Sequence, residues 1–203
     1  LEPVRFSVTS HRGCFGACSF CAITHHQGRI IQSRSIGSIL REVTRITTLP
    51  GFRGVIPDVG GPTANMYGLS CRQWQTKGGC PERHCNPSCR NLETGHEAQC
   101  ILLSKIRAVP GVKHVFIGSG IRYDLVLADN TDYLGMVCEH HISGHLKVAP
   151  EHVAPGVTAL MNKPNQDVFD RFRCRFEALQ QGKKTRQYLL PYFMSGHTGC
   201  TVS

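Results

Sequence analysis

Hydrophobic residues in this chain follow two patterns, short runs typical of buried strands and longer stretches with the spacing of amphipathic helices. Runs rich in β-branched and aromatic residues predict strands at residues 4–9, 54–59, 114–118, 145–149 and 188–193. Apolar positions three and four residues apart predict helices over about residues 35–48, 96–109, 133–141 and 166–180. The chain is therefore predicted to alternate between strands and helices.

This alternation predicts an α/β fold with a parallel sheet, since a helix is the usual crossover between parallel strands. Right-handed crossovers in a steady series indicate a partial (β/α) TIM-like barrel. In such barrels the chemistry lies in the loops that follow the strands. Polar residues and glycines follow all five predicted strands, at residues 14–21, 60–63, 119–122, 150–152 and 195–197.

Residues 71–100 interrupt this pattern and are predicted to form a Cys-rich loop insertion. Glycines and prolines argue against regular structure there, at Gly78, Gly79, Pro81 and Pro87. The insertion carries four closely spaced cysteines, Cys71, Cys80, Cys85 and Cys89. Intervals of eight, four and three residues let one loop surround a metal, which predicts a zinc site or a second Fe-S cluster. Unliganded thiols or one oxidised pair are the alternative; Cys100 lies further on, and His84 is a substitute ligand.

Length and composition restrict the class of protein. A chain of 203 residues, 40% of them hydrophobic, suits one domain with its own core. No apolar run approaches the length of a membrane span and no signal-peptide pattern opens the chain, so no membrane partner is expected. The 11 cysteines have short spacings, which favours metal ligation in a reducing cytoplasm over disulfides.

The net charge of +9 suits an anionic partner. Nucleic acid is one such partner, and basic residues that face an anionic cofactor or substrate are the alternative. The basic residues do not form one long run, so nucleic acid is not the favoured partner.

Three cysteines follow the first predicted strand, at Cys14, Cys18 and Cys21, with the spacing C-x3-C-x2-C. Cysteine thiolates normally bind all four irons of a 4Fe-4S cluster. A loop that supplies only three thiolates leaves one iron open, and an open position is typical of a metal site that performs chemistry. A zinc site or three buried thiols are the alternative, but the position after a strand favours a reactive cluster.

Six stretches of sequence surround these features: SHRGC at 10–14, CAIT at 21–24, HQGRIIQSRS at 26–35, DVGGPTANMY at 58–67, LKVAPEH at 146–152 and LPYF at 190–193. Together they resemble the YgiQ-type (UPF0313) family of radical S-adenosylmethionine (SAM) proteins. The resemblance covers nearly the whole chain. It rests on long stretches of sequence that also occur in the family, in the same order. It implies that residues 1–203 are the radical SAM core domain of a longer protein, truncated at both ends.

The resemblance also implies a reaction. Cys14, Cys18 and Cys21 would hold a 4Fe-4S cluster whose open iron binds SAM. Reductive cleavage of SAM would give a 5′-deoxyadenosyl radical, which abstracts hydrogen from a substrate that the family name does not identify. A reductant such as flavodoxin or ferredoxin is the implied partner.

Further cofactor contacts are implied at the ends of the strands. Phe20 is expected near the adenine, and Gly60 and Gly61 match a turn that holds the SAM amino group. Pro62 stands where that turn usually has a glutamate, and Thr63 or Asn65 are candidate substitutes. Glycines at such a turn allow the backbone to approach a ligand closely.

Polar side chains after the third and fourth strands complete the predicted site. Ser119 lies at the third strand end, where Arg122 suits a carboxylate such as that of SAM. Glu151 follows the fourth strand and is a candidate for the ribose hydroxyls. A salt bridge at the barrel mouth is the alternative for both charged residues.

A second class of function stays open at this stage. In it, both cysteine groups are structural, and the chain is a metal-stabilised binding module, with zinc or an Fe-S cluster, for a ligand such as RNA. That interpretation predicts paired C-x2-C knuckles and exposed aromatic residues among the basic ones. The open three-cysteine loop at a strand end favours the enzyme instead.

Overall fold

A computed structural model describes residues 4–80 and 85–201. The strands are β1 (Val8–Thr9), β2 (His11–Arg12), β3 (Gln32–Ser33), β4 (Val55–Ile56), β5 (Val59–Gly60), β6 (Ser70–Cys71), β7 (Leu92–Glu93), β8 (His114–Val115), β9 (His145–Glu151) and β10 (Tyr188–Phe193). The helices are α1 (Ile23–Gln27), α2 (Ile36–Thr47), α3 (Trp74–Lys77), α4 (Glu97–Arg107), α5 (Tyr123–Ala128), α6 (Tyr133–His140), α7 (Pro155–Leu160) and α8 (Gln166–Ala178). The fold is mixed α/β.

Parallel pairing joins the strands that the hydrophobic pattern predicted. Pairs form between β1 and β5, between β4 and β8, and between β9 and β10. The backbone of Phe116 bonds to both parts of the interrupted second strand, donating to Ile56 at 2.9 Å and accepting from Val59 at 3.1 Å. An isolated parallel bridge between Ile121 and Val148 links the third and fourth strands.

These pairings follow the order of the strands along the chain, as a (β/α) barrel segment requires. Within residues 4–80 and 85–201 they are separate two-stranded ladders and do not close into a barrel. The partial TIM-like barrel therefore stays a prediction.

Two antiparallel pairs were not predicted. Strands β2 and β3 close the loop that carries the first cysteine group, and β6 and β7 close the insertion, pairing Ser70 with Glu93 and Cys71 with Leu92. The insertion also contains the short helix α3. The expectation of no regular structure across residues 71–100 is therefore wrong, because the flanking strands pair with each other around the Gly- and Pro-rich segment.

The main core lies between the parallel strands and helices α2, α4, α6 and α8. Helix α2 shows why the pattern predicted it: Ile39, Val43 and Ile46 are buried on one face, and the Ser35 hydroxyl caps the helix by accepting from the Ser38 amide at 3.2 Å. A smaller cluster around Phe15 packs beside the cysteine loop. Among the described residues no helix has the length and apolar character needed to cross a bilayer.

Candidate functional site

The loop of the first cysteine group has a defined backbone. The Cys14 amide donates to the Gly28 carbonyl at 3.0 Å, and the Thr24 hydroxyl donates to the Cys14 carbonyl at 3.1 Å. Gly13 begins the loop with φ of 89°, and a Cβ there would overlap the Ile30 carbonyl. Only glycine meets both demands, since other residues are strained at positive φ and would not fit against that backbone.

Two of the three thiols lie together. Cys14 and Cys18 line a narrow cleft of about 130 Å³, beside Thr63 and Arg122. The loop passes close around Gly16, where a Cβ would lie 3.4 Å from the Cys14 sulfur and 3.7 Å from the Cys18 sulfur. Cys21 is half-buried, and its amide donates to the Cys18 carbonyl at 3.0 Å.

Cysteine thiols are the candidate metal ligands at this site. Across residues 4–80 and 85–201, no group of three or more His, Cys, Asp or Glu side chains is gathered to hold a single metal ion. A zinc ion requires its ligands to converge within about 2.3 Å of one point, whereas a 4Fe-4S cluster takes each thiolate on a different iron. Three free, half-buried thiols on one loop are donors of the kind that a cluster takes, one thiolate for each of three irons.

Arg122 is fixed beside this loop by its backbone and its side chain. The Asn65 side chain forms two hydrogen bonds with the Arg122 backbone. It accepts from the Arg122 amide at 2.7 Å and donates to the Arg122 carbonyl at 3.0 Å. The guanidinium donates from Nε to Asp124 Oδ1 at 2.9 Å and from Nη2 to Oδ2. Arg122 thus forms an ion pair with Asp124. This is the salt bridge predicted from the sequence as the alternative to a contact with SAM.

The Arg122 guanidinium remains protonated in this environment. Burial by itself lowers the pKa of Arg122, but Asp124, with smaller contributions from Cys18 and Cys14, more than offsets that effect, so the pKa lies above its ordinary value. The guanidinium also lies over the Phe15 ring, 5.6 Å from its centroid.

Glu151 likewise has an ion-pair partner. Its carboxylate lies 3.8 Å from the Lys163 ammonium, and the side chains are only 14% and 13% exposed. Lys163 lines the cleft of Cys14 and Cys18, and its charge, together with that of Arg122, opposes the rise in the Cys18 pKa that burial causes. Glu151 therefore connects to the cysteine site through a lysine that sequence reasoning did not single out.

Backbone strain is concentrated at the same place. Within the described ranges, the non-glycine residues with positive φ are Ala17, Glu151 and Asn162, at 47°, 67° and 57°. The Asn162 side chain donates to the Ala17 carbonyl at 3.0 Å, and the Ser19 amide donates to the Met161 carbonyl at 3.2 Å. Such conformations persist only where the surroundings impose them, and they cluster at functional sites. The turn after α7 therefore holds the cysteine loop in place.

Three residues predicted to bind the cofactor lie in a neighbouring cleft instead: Gly60, Gly61 and Ser119. The Gly60 carbonyl accepts from the Ser10 amide at 2.7 Å, and a Cβ on Gly61 would lie 2.6 Å from His11 Nε2. Ser119 is bound to Asp58, which accepts from its amide at 3.1 Å and also from its hydroxyl. All three make contacts within the fold, and a SAM contact at these positions stays a prediction.

His11 and Asp58 are positioning residues that sequence reasoning missed. Burial lowers the His11 pKa to about 4, so the ring is neutral near pH 7. The ring links two loops, with Nε2 donating to the Thr63 carbonyl at 3.0 Å and Nδ1 lying 2.9 Å from the Ser10 hydroxyl. Asp58 lies between β4 and β5 and also accepts from the Gly118 amide at 2.9 Å. An aspartate inside a buried strand run was the available signal.

Phe20 lies outside the cleft that Cys14 and Cys18 share. Its ring meets the His197 ring edge-on at 6.1 Å, and the Ser19 hydroxyl lies 3.3 Å from His197 Nε2. The loop after β10 therefore contacts the cysteine loop between Cys18 and Cys21. The expected position of Phe20 at an adenine stays a prediction.

The second cysteine group packs around the Phe15 cluster, which Cys14 also contacts. Cys71 is buried within the Phe15 cluster, and Cys85 and Cys89 pack against it. Burial raises the pKa of Cys85, and its neighbours Cys80, Cys89 and Cys71 raise it further, while Arg29 opposes them. These four thiols thus lie near one another. Cys100 packs instead against the main core, and His84 and Pro81 fall outside the described residues.

A larger groove adjoins the cysteine cleft. It has a volume of about 570 Å³ and lies between the insertion, near Cys85, and the segment joining α7 to α8. Arg122, Asp124 and Lys163 line both the groove and the cleft. A ligand in the groove would therefore lie next to Cys14 and Cys18.

Comparison with known proteins adds an independent finding. No known family model matches the chain. A UPF0313 protein of Methanosarcina mazei is 53% identical over 204 residues, which cover 100% of this chain and 32% of that protein. A UPF0313 protein of Methanocella arvoryzae is 52% identical, covering 100% and 34% of the two chains. A UPF0313 protein of Clostridium botulinum is 48% identical, covering 98% and 32%.

The chain spans about a third of the length of these curated relatives. Within that third, about half of all positions are identical from one end of the chain to the other. By this identity the chain belongs to the UPF0313 family.

Proposed function

We propose that this chain is the radical-generating part of a UPF0313 protein, with a 4Fe-4S cluster held by Cys14, Cys18 and Cys21. The observation that carries the proposal is the loop itself, with three free, half-buried thiols beside a cleft that Cys14 and Cys18 share with two buried cations. The chemistry supplied by such a cluster and bound SAM is reductive cleavage to a 5′-deoxyadenosyl radical, which abstracts hydrogen from a substrate.

The residues of the chain supply the setting for that chemistry. The bond from Asn162 to Ala17 and the hairpin of β2 and β3 keep Cys14 and Cys18 at one edge of the cleft. Arg122 and Lys163 offset the negative charge of the thiolates.

The wider setting is proposed with it. The parallel strand pairs are consistent with a partial TIM-like barrel, and the loops after its strands would bear the site. A reductant of the flavodoxin or ferredoxin class would supply electrons in the cytoplasm. The substrate would enter through the groove beside Arg122 and Lys163.

We also propose a second metal site formed by Cys71, Cys80, Cys85 and Cys89. The observation that supports it is the proximity of these thiols around the Phe15 cluster. Four thiolates can bind every iron of a cluster, so this site would be structural or would carry electrons. To close a zinc site instead, the four thiols would have to move closer together, since they are not gathered around one point.

Anaerobic reconstitution with iron and sulfide, followed by dithionite and SAM, tests the enzymatic proposal. The protein used for this assay contains residues 1–203 within a chain as long as those of its relatives. Formation of 5′-deoxyadenosine is expected, and Cys18→Ala should abolish it, while Cys174→Ala, at an exposed position on α8, should not. Full metal loading without SAM cleavage would favour the metal-stabilised binding module instead, for which RNA binding is then measured.

A further inference from the structure

Arg122 is a permanent cation held close to the cysteine loop. Its side chain is 16% exposed and that of its partner Asp124 is 6% exposed. Both ends of the residue are bound, the backbone by Asn65 and the guanidinium by Asp124. A group restrained in this way cannot turn toward a new ligand without breaking buried hydrogen bonds, which is costly.

The nitrogen donors of the Arg122 guanidinium face two different groups. Nε and Nη2 form a two-pronged contact with the Asp124 carboxylate. Nη1 faces the cysteine loop, since a Cβ on Gly16 would lie 3.5 Å from Nη1, 3.4 Å from the Cys14 sulfur and 3.7 Å from the Cys18 sulfur. One small volume is therefore bordered by a guanidinium nitrogen and by two thiols.

A SAM carboxylate is a poor partner for this arginine. The edge of the guanidinium that best fits a carboxylate is taken by Asp124. The remaining nitrogen lies among sulfurs. Net charge and hydrogen bonds at the sulfurs are among the factors that set the reduction potential of an Fe-S cluster.

We infer that Arg122 is a positioning residue for the cluster site, which holds positive charge against the sulfurs of Cys14 and Cys18 and favours one-electron reduction there, and that it is not the ligand of the SAM carboxylate. This rests on the proposed function. One electron enters from a reductant of the flavodoxin or ferredoxin class, no proton is required, and the fixed charge of Arg122 stabilises the added negative charge. Asp124 acts one step further away by orienting the guanidinium.

The test compares reconstituted wild type with Arg122→Gln, Arg122→Lys and Asp124→Asn. Arg173→Gln is the control, because Arg173 lies exposed on α8 with its own ion pairs. Iron and sulfide are counted, the midpoint potential is followed by spectroscopic titration with dithionite, and SAM affinity is measured on the oxidised protein by equilibrium dialysis.

The midpoint potential should fall in Arg122→Gln and stay near the wild-type value in Arg122→Lys, which keeps the charge. It should not fall in Asp124→Asn, because this change removes a negative charge and keeps Arg122. SAM affinity should change by less than about threefold in all of the variants. Loss of a charged hydrogen bond to SAM would lower the affinity much more than that. An unchanged potential in Arg122→Gln with SAM affinity lowered about tenfold or more would overturn the inference and leave the proposed function standing. If wild type itself takes up no cluster, the proposed function falls and the inference with it.

Discussion

The side-chain amide of Asn162 donates a hydrogen bond to the carbonyl of Ala17 at 3.0 Å, joining residues 145 positions apart in the chain. Both residues have positive φ, at 57° and 47°. One strained turn therefore supports the other, and the cysteine loop depends on a segment near the opposite end of the domain. The left-handed conformation is more easily adopted by asparagine than by most residues.

Replacing Asn162 should weaken this support in a graded way. Asn162→Gly loses the hydrogen bond but tolerates positive φ, whereas Asn162→Ala loses the bond and adds strain. We expect a loss in unfolding free energy of about 1 kcal/mol for glycine and about 2 kcal/mol for alanine. Urea unfolding under reducing conditions measures both. Equal losses in the two variants would show that backbone strain at this turn contributes nothing.

The cysteine loop also depends on Gly13. Gly13 and Gly28 have similar φ values of 89° and 85°, but a Cβ would overlap the Ile30 carbonyl only at Gly13, and it would meet nothing within 4 Å at Gly28. Gly28 has ψ of 167°, a region almost restricted to glycine, so Gly28→Ala should cost about 2 kcal/mol from backbone strain. Gly13→Ala should cost more than about 4 kcal/mol, because the obstacle is backbone. Unfolding curves and iron uptake of the two variants are compared. Similar behaviour would contradict the close approach at Gly13.

Stability should fall as the pH falls, in part through His11. Its pKa is about 4 in the folded chain and 6.5 when exposed, because burial disfavours the imidazolium. Above pH 6.5 the ring is neutral in both states and contributes no pH dependence. Between pH 6.5 and about 4 the unfolded chain binds a proton that the folded chain does not, so unfolding becomes more favourable by up to about 3 kcal/mol.

The measurement is the unfolding free energy across that pH range. His141, whose pKa burial also lowers to about 4, adds a similar dependence, so His11→Gln should reduce the slope without abolishing it. His25→Gln, at an exposed position on α1, is the control and should keep the wild-type slope. Parallel curves for wild type and His11→Gln would contradict the assignment.

The two cysteine groups should bind metal independently. Cys85→Ser should remove the metal of the insertion and leave that of Cys14, Cys18 and Cys21, since the two groups are carried by separate loops, one closed by β2 and β3 and the other by β6 and β7. Cys18→Ala should do the reverse, and Cys174→Ser should change nothing. Iron, zinc and sulfide per chain are measured for each variant and for the double variant, in which the losses should add. A wild-type metal content in Cys85→Ser would contradict the second site.

Local periodicity explains which elements could be predicted. Strand β10 occupies the predicted residues 188–193, and α2 and α8 lie within their predicted ranges. Their buried faces repeat every few residues, and that repeat is visible in the chain without knowledge of its partners. Helices α5 and α7, of six residues each, were missed because so few positions show no clear period.

The alternatives left open for Arg122 and Glu151 show what a single chain cannot decide. Each residue has a charge at a strand end, and that charge suits a ligand or an internal partner equally well. The partners, Asp124 and Lys163, are identified only by where α5 begins and where the turn after α7 reaches.

The sequence by itself determined that this chain alternates strands and helices and that three cysteines follow the first strand in an open set, since periodicity and spacing are local properties. Only the tertiary structure decided that Cys14 and Cys18 share a cleft with Arg122, that Gly61 packs against His11, and that Asn162 supports Ala17. Those contacts join segments far apart in the chain. Their energy depends on distances that exist only after the parallel strands have paired and the loops at their ends have been brought together.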